Sequence, residues 1–569
     1  QKFFDSWSEL FPEDSPWDQE IPVMPLYHVI DQAAKEFSDK TAIDFYGKKY
    51  SYAKLLKLIN KSTKGLQKIG VGPEMRVGLM MPNCPQYMIM FFAILKCGAS
   101  VVNLNPLYHV KELKNQIDQL DVKIICTLNI NELYNKANNL VQTSVVEKII
   151  IGKFERSLPF FKSKAFQVTK KNKIASVLYN NVNISMRKII SNDGKYKEVD
   201  INPIKDIALY QFTGGTTGVP KAAMLTHSNV YSNIYQASSM LNDNILKKGK
   251  ESIIAVLPFF HIFALTSIMG VGVMKGAKLI LHPKFEIRKL LQDVLQKKAT
   301  ILVGVPSIYT AIINYKDLNI NDLHSLKFCI SGGANLSRTL KDNFEHRINC
   351  PIYQGYGLTE SSPIAALCPT FDDKLESPKN TIGIPLPGTI ISIRDIEDND
   401  KIMNPEEKGE IFIKGPQVML GYYNKPTDKS HMPEQVIFDG FLKTGDVGFL
   451  DKNGFLFIVD RLKEVIICGG VNIYPSIIEE ILNSNPAIKE SAAIAIEDEY
   501  KGQVVKIFVV LKVGLEMTEE KLRDSLKDKL TKLEMPKYIE FVSEIPKTMI
   551  GKIDKKALIE VYDDDENDY

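Results

Sequence analysis

Short apolar runs rich in β-branched residues recur along the first two-thirds of the chain, separated by longer stretches with helical periodicity. Examples are Arg76-Val-Gly-Leu-Met-Met81, Lys123-Ile-Ile-Cys126, Glu147-Lys-Ile-Ile-Ile151, Thr300-Ile-Leu-Val303 and Leu326-Lys-Phe-Cys-Ile330. Runs this short and continuously apolar suit strands buried on both faces, so the alternation predicts β-α units around parallel sheets. From about Ile390 the pattern shifts to short strands and turns, as in Gly409-Glu-Ile-Phe-Ile-Lys-Gly415 and Gly454-Phe-Leu-Phe-Ile-Val459. The closing segment combines a helix-like Ser476 to Asn483 with a strand-like Val504 to Leu511. The expected fold class is therefore α/β. A large N-terminal part of α/β subdomains carries a small β-rich subdomain, and a small α+β part follows.

Two stretches imitate membrane spans. Tyr87 to Leu104 is largely apolar, and Ser252 to Met274 has no Lys, Arg, Asp or Glu. The first is broken by Lys96; the second holds Pro258 and His261 and runs on to a strand-like Ala277-Lys-Leu-Ile-Leu-His282. Both read as helix plus strand in a buried core. At 569 residues the chain is too long for one core and predicts two to four domains. A net charge of +3 argues against a dedicated nucleic-acid binder. The seven cysteines are scattered without a C-x-x-C pair, which speaks against a disulfide framework or a zinc site and for a reducing cytosol. No signal-peptide pattern opens the sequence at Gln1.

The segment richest in candidate chemistry is Gln211-Phe-Thr-Gly-Gly-Thr-Thr-Gly-Val-Pro-Lys221. Gly214, Gly215 and Gly218 let the backbone approach a ligand closely, the hydroxyls of Thr213, Thr216 and Thr217 crowd one small volume, and Lys221 adds a cation. Such a nest suits a polyphosphate. It is not the kinase or GTPase P-loop, because Pro220 precedes the lysine and Ala222 stands where a magnesium-binding hydroxyl is required.

Downstream, Tyr353-Gln-Gly-Tyr-Gly-Leu-Thr-Glu360 follows a glycine pair, Ser331-Gly-Gly-Ala334. Tyr356 offers an aromatic face for a purine, Thr359 a hydroxyl, and Glu360 a carboxylate suited to Mg²⁺. Thr444-Gly-Asp446 puts a carboxylate on a turn, where it could accept ribose hydroxyls or merely close an Asx-turn. Asp460-Arg-Leu-Lys-Glu464 precedes Gly469-Gly470, and Pro546-Lys-Thr-Met-Ile-Gly-Lys552 places a lysine beyond a glycine.

In this order these residues resemble the adenylate-forming superfamily of acyl-CoA synthetases, adenylation domains and luciferases, and most of all bacterial long-chain fatty-acid–CoA ligases. Leu257-Pro-Phe-Phe-His-Ile-Phe263, Gly415-Pro-Gln-Val-Met-Leu-Gly-Tyr422, Arg461-Leu-Lys-Glu-Val-Ile-Ile467 and Val471-Asn-Ile-Tyr-Pro475 add to the likeness. The resemblance implies a domain of residues 1–460 that binds the nucleotide and a mobile one of 461–569, with a hinge near 460–463. It implies ATP, Mg²⁺ and CoA, with Lys552, Thr217, Glu360 and His261 catalytic and Thr217 and Glu360 holding the metal. Nucleotide and CoA contacts are implied for Thr213 to Gly218 and Lys221, for Gly332, Gly333 and Ala334, and for Gly355, Tyr356, Gly357 and Thr359. The same holds for Asp446, Arg461, Lys463, Gly469 and Gly470. The acyl pocket is expected beside His261, Val303-Gly-Val305 and Gly332-Gly333.

Three departures stand out: Ala222 replaces a usual glycine, Asn335 a common proline, and Leu533-Glu534 a usual Tyr-Lys. The last weakens any carry-over of CoA phosphate contacts. An aryl or medium-chain CoA ligase, an acyl-AMP ligase loading a separate carrier protein, and a catalytically silent binding protein are the competing readings.

Between Lys153 and Lys188 nine Lys or Arg face one acid, Glu155, with Leu158, Phe160, Phe161 and Phe166 among them. This apparent insertion, within 152–200, is expected to be either a solvated basic loop or a patch resting on anionic lipid. The expected location is cytoplasmic, on the inner membrane face where the patch docks; a homodimer is left open. The acidic tail Asp563 to Asp568 is expected to be disordered.

Overall fold

The computed structural model describes residues 4–11, 16–213, 220–241, 246–369, 377–424, 435–498, 500–547 and 553–563. The predicted apolar runs become parallel strands. A nine-stranded sheet has a parallel centre of Ile352–Gly357, Phe328–Ser331, Ile301–Gly304, Ser252–Ala255, Lys278–Leu281 and Thr41–Phe45, with antiparallel strands at both ends. An eight-stranded sheet runs from Gly421–Tyr422 through the hairpin Lys221–Thr226 and Ile207–Thr213 to parallel Ser100–Asn103, Arg76–Leu79, Ile124–Leu128, Lys148–Gly152 and Asn183–Ser185. Residues of Ile301–Gly304 and Ile124–Leu128 are buried throughout, as two-sided covering by helices requires.

Both span-like stretches fold into this core. Every residue of helix Pro85–Lys96 is buried, and its single charge is neutralised in place: Lys96 Nζ sits 2.6 Å from Asp31 Oδ1 and is flanked by the rings of Tyr27 and Tyr196. Among the described residues no helix is long and apolar enough to cross a membrane.

The predicted β-rich part is an antiparallel sheet of Ile390–Arg394, Gly409–Lys414, Phe441–Leu450, Ile437–Phe438 and Leu456–Arg461. A further sheet builds on Ile488–Asp498 and Gly502–Leu511, with helix Pro475–Asn483 against it. The 153–188 segment is more than a loop. It forms a helix, Phe160–Thr169, and its strand Asn183–Ser185 extends the eight-stranded sheet by pairing in parallel with Lys148–Gly152. The tail residues 564–568 lie outside the described residues.

His227 opens helix His227–Met240 and is 1% exposed, its Nδ1 accepting a hydrogen bond from the Leu26 amide at 3.1 Å. Burial pushes its pKa down from 6.5 to about 3. The folded state thus favours the neutral ring more than the unfolded chain does, so this group's stability is fully present above pH 6.5 and is lost as pH falls toward 3. Denaturation midpoints should fall between pH 6.5 and 5, with up to ~1.4 kcal/mol lost per pH unit from this residue. In His227→Asn, whose Oδ1 still accepts from Leu26, the urea-denaturation series should lose that part of the slope.

Candidate functional site

In open parallel sheets ligands bind beyond the carboxyl ends of the strands. Gly304 and Ser331 are register partners at that edge, and Ser331 pairs with Gln354 just before Gly355. The chain leaving these strands carries Val305, then Gly332, Gly333 and Ala334, then Gly355 to Glu360. The segment Leu257–Phe263 leaves Ser252–Ala255 at the same edge. A Cβ on Gly332 would meet the Phe263 ring at 2.8 Å, and one on Gly333 would lie 3.7 Å from Val305. Phe263, Val305 and the glycine pair therefore border one region, and His261 lies two residues before Phe263 in the chain.

Asp446 is the best-defined member of the site. The expected turn is instead a distortion within strand Phe441–Leu450, where pairing with Gly409–Lys414 shifts register and Gly445 takes φ +72°. Glu410, fully buried, accepts the Gly445 amide at 2.9 Å, and the Thr444 hydroxyl donates to the Ile411 carbonyl at 2.7 Å. These bonds hold the backbone that carries the Asp446 carboxylate. Tyr356 Oη donates to Asp446 Oδ2 at 2.6 Å, and Arg461 Nε lies 2.7 Å from Oδ1. Tyr356 is in strand Ile352–Gly357. Burial first and Asp446 second push its phenol well above the ordinary value, so it stays protonated and donates.

Glu360 sits in the single turn Thr359–Ser361 and accepts a hydrogen bond from the Tyr422 hydroxyl. Lys221 Nζ lies 5.3 Å from the Tyr422 ring, and strand Gly421–Tyr422 pairs with the strand that Lys221 begins. Thr213 faces Lys221 across the hairpin. Lys221, Tyr422 and Glu360 thus form one chain of contacts. Among the described residues no group of three or more His, Cys, Asp or Glu could hold a metal. One carboxylate suffices for Mg²⁺ that keeps its waters and binds substrate phosphates, so Glu360 fits that ion.

Other expected site residues stand apart or outside the description. Gly214, Gly215, Thr216, Thr217, Gly218 and Lys552 lie outside the described residues. Lys463 is exposed in the turn Leu462–Glu464. Gly469 and Gly470 form the tip of the hairpin Ile466–Cys468 and Val471–Ile473 with φ +58° and +80°, so a two-residue turn already explains both glycines. Gly357 has a packing reason too, since a Cβ there would come within 1.8 Å of the Pro363 carbonyl oxygen.

Sequence reasoning missed Asn83, Tyr87, Asn103 and the side-chain role of Gln211. Asn83 Nδ2 donates to the carbonyls of Ala255 and Leu257, and its Oδ1 accepts the Phe259 amide. The Tyr87 hydroxyl lies 2.6 Å from Asn103 Oδ1 and 2.9 Å from the Phe259 carbonyl. Asn103 Nδ2 donates to Gln211 Oε1, and Gln211 Nε2 to the Phe260 carbonyl. The available signal was position: Asn83 follows Arg76–Leu79, Asn103 ends Ser100–Asn103, and Gln211 nears the end of Ile207–Thr213, all at carboxyl ends.

Two parallel sheets whose carboxyl edges gather acid, cation and aromatic groups define a nucleotide-handling α/β enzyme. The AMP-binding enzyme profile matches residues 30–423, and the AMP-binding enzyme C-terminal domain profile matches 477–552. A Long-chain-fatty-acid--CoA ligase of Bacillus subtilis is 38% identical over 557 residues, covering 97% of each chain. One from Escherichia coli is 32% identical over 560 residues, again 97% of each. The solved structure of ATP-bound MatB from Rhodopseudomonas palustris superimposes with a TM-score of 0.81 at 25% identity, over 95% of this chain and 99% of that one. The chain belongs to the AMP-binding enzyme family.

Tyr356→Phe removes the hydroxyl that donates to Asp446 Oδ2 and should raise KM for ATP by about tenfold or more, since a hydrogen bond to a charged group contributes roughly 1.5–3 kcal/mol. KM for the carboxylic substrate should hardly move. Steady-state pyrophosphate release with each substrate varied in turn checks this split.

Proposed function

We propose that this chain is an AMP-forming long-chain fatty-acid–CoA ligase. The observation that carries the reading is collinearity over 97% of its length with relatives bearing that activity in their names. The fatty acid carboxylate attacks the α-phosphorus of ATP, pyrophosphate leaves, and the acyl-adenylate remains bound. The sulfur of CoA then attacks the acyl carbon with loss of its proton, and AMP leaves.

Asp446, steadied by Tyr356 and Arg461, accepts the ribose hydroxyls. Gly332, Gly333, Ala334, Gly355, Gly357 and Thr359 border the nucleotide, and His261 borders the reacting carboxylate. The threonine and glycine loop from Thr213 to Gly218, with Lys221, receives the phosphates through backbone N–H groups and charge. Glu360 and Thr217 would hold Mg²⁺, which when bound would supply positive charge against the repulsion between carboxylate and triphosphate. Lys552 bridges carboxylate and α-phosphate in the first step. Residues 461–569 then turn about Lys463 relative to 1–460, withdrawing Lys552 and bringing Gly469-Gly470 to the pantetheine arm. Peripheral attachment to an anionic membrane belongs to the same reading, because a long-chain substrate partitions into bilayers.

Pyrophosphate release with a panel of saturated acids from hexanoate to icosanoate, with and without CoA, tests the function. Release should be largest with the longer acids and should continue past one turnover only with CoA; preference for aryl or short acids would overturn the reading. Lys552→Ala should abolish adenylate formation while retaining thiolysis of supplied acyl-adenylate, and equal loss in both half-reactions would remove its assigned role.

Proline fixes φ and constrains its predecessor. Lys463→Pro should therefore slow CoA thioester formation while single-turnover adenylation persists. A normal rate of thioester formation in that variant would refute the hinge.

A further inference from the structure

The helix Phe160–Thr169 inverts the usual amphipathic arrangement. At 100° per residue, Phe160, Lys164 and Val168 fall on one side with Phe161 and Ala165, and all five are exposed. Phe166 points the opposite way and packs on Phe154, ring centroids 5.3 Å apart. Phe166 is partly buried and Leu158 buried, so two of the four apolar residues expected at a membrane serve the core instead. What remains outside is substantial: Phe161 is 84% exposed, Val168 79%, Leu178 77% and Phe160 69%. Tyr500 and Val513 are more exposed still, but the Phe160–Val168 set shares one helix face. An apolar set of this kind marks a contact surface.

Along this stretch of chain the exposed charge has one sign. Lys164, Lys170, Lys171 and Lys173 are exposed beside the apolar residues. Glu155, the single acid between Lys153 and Lys188, is buried and accepts a hydrogen bond from Asn129. The face is also anchored. Lys162 Nζ donates to the Tyr46 carbonyl at 2.8 Å, Lys48 Nζ donates to the Arg156 carbonyl, and Asn183–Ser185 ties the far end to a sheet.

We propose that this face docks on an anionic lipid bilayer, with Phe160, Phe161 and Val168 entering the headgroup boundary and the lysines facing lipid phosphates. Aromatic residues with flanking cations are the composition of interfacial attachment. A helix none of whose residues is buried offers a ridge and not a groove, which suits a bilayer better than a peptide. A second copy of the same face would bring like charge against like. Docking stands on this geometry, while its benefit to the enzyme rests on the fatty-acid reading.

The test is co-sedimentation of the full chain with phosphatidylcholine vesicles, alone or mixed with phosphatidylglycerol, at low and high salt. Binding is expected only to the mixed vesicles and should vanish at high salt. The variants F160S/F161S and K170E/K171E/K173E should each weaken it by about tenfold or more. Both should still release pyrophosphate with octanoate, a water-soluble acid, which reports an intact fold. Should a variant lose that activity, photo-crosslinking of the unaltered protein by a diazirine lipid decides, with labels expected within residues 160–178.

Equal binding to neutral vesicles, no binding, binding indifferent to both variants, or labels elsewhere would overturn the proposal. So would self-association in light scattering that the same variants abolish. If no fatty acid supports pyrophosphate release, the ligase reading falls while the docking result stands.

Discussion

The junction between the two parallel sheets has to be closed by polar groups. Their carboxyl edges face the same region, and strand ends leave backbone carbonyls and amides that buried positions must satisfy. Asn83, Tyr87, Asn103 and Gln211 do this, engaging the Ala255, Leu257, Phe259 and Phe260 backbone in one connected network. The consequence is positional. Gln211 lies two residues before Thr213, where the proposed phosphate loop begins, and Phe260 immediately precedes His261. The proposed phosphate loop and the proposed acyl pocket would thereby be referenced to the same buried amides. A fully satisfied network of this kind rigidifies what it connects.

A second constraint acts at Asp446. A carboxylate buried to 4% exposure is costly unless its oxygens are paired. Tyr356 comes from the nine-stranded sheet, and Arg461 from the same antiparallel sheet as Asp446 itself. The pairing that makes burial tolerable also fixes the antiparallel sheet against the nine-stranded one. Glu410 works from beneath, holding the Gly445 amide while Lys443 lies 3.3 Å from its other oxygen. Burial nevertheless pushes the Glu410 carboxyl above its ordinary range.

Much of this was legible in the sequence because buried parallel strands advertise themselves as short apolar runs. All five quoted runs lie in parallel strands, displaced by one or two residues at their ends. Tyr356, Glu360, Asp446 and Arg461, which the structure shows in polar contacts, could be picked out because their residue types cluster in short motifs. The missed residues share a different character. Asn83, Tyr87 and Asn103 are lone polar side chains whose partners are 16 to 176 residues away, so no local spacing reveals them. The Asp446 bend was read as a turn because Thr-Gly-Asp is turn chemistry locally; pairing on both sides of Phe441–Leu450 overrides that preference. The basic 153–188 segment was legible in charge but not in direction. Which of Leu158, Phe160, Phe161 and Phe166 face outward depends on the helix phase and on Phe154.

Polar contacts cross the link between the two matched family regions, which bears on the proposed rotation. Asp460 Oδ1 accepts the Arg461 amide at 2.7 Å, and Oδ2 accepts the Ser476 amide at 2.8 Å. Lys408 lies 4.7 Å from the Tyr474 ring. Hydrogen bonds exchanged for water cost little net free energy, whereas separating apolar surfaces costs in proportion to area. A joint held in this way can open and close without unfolding either side. Beyond it the C-terminal part carries its own cross-ties. Lys555 Nζ lies 2.8 Å from Glu464 and 2.9 Å from Glu479, joining the turn after Arg461, helix Pro475–Asn483 and helix Lys555–Asp563. Lys547 and Ile553 are bridged as strand partners on either side of the segment that contains Lys552. In the proposed rotation, groups that would swing together are thus tied to one another by ion pairs, as delivery and removal of one lysine in a single step would require.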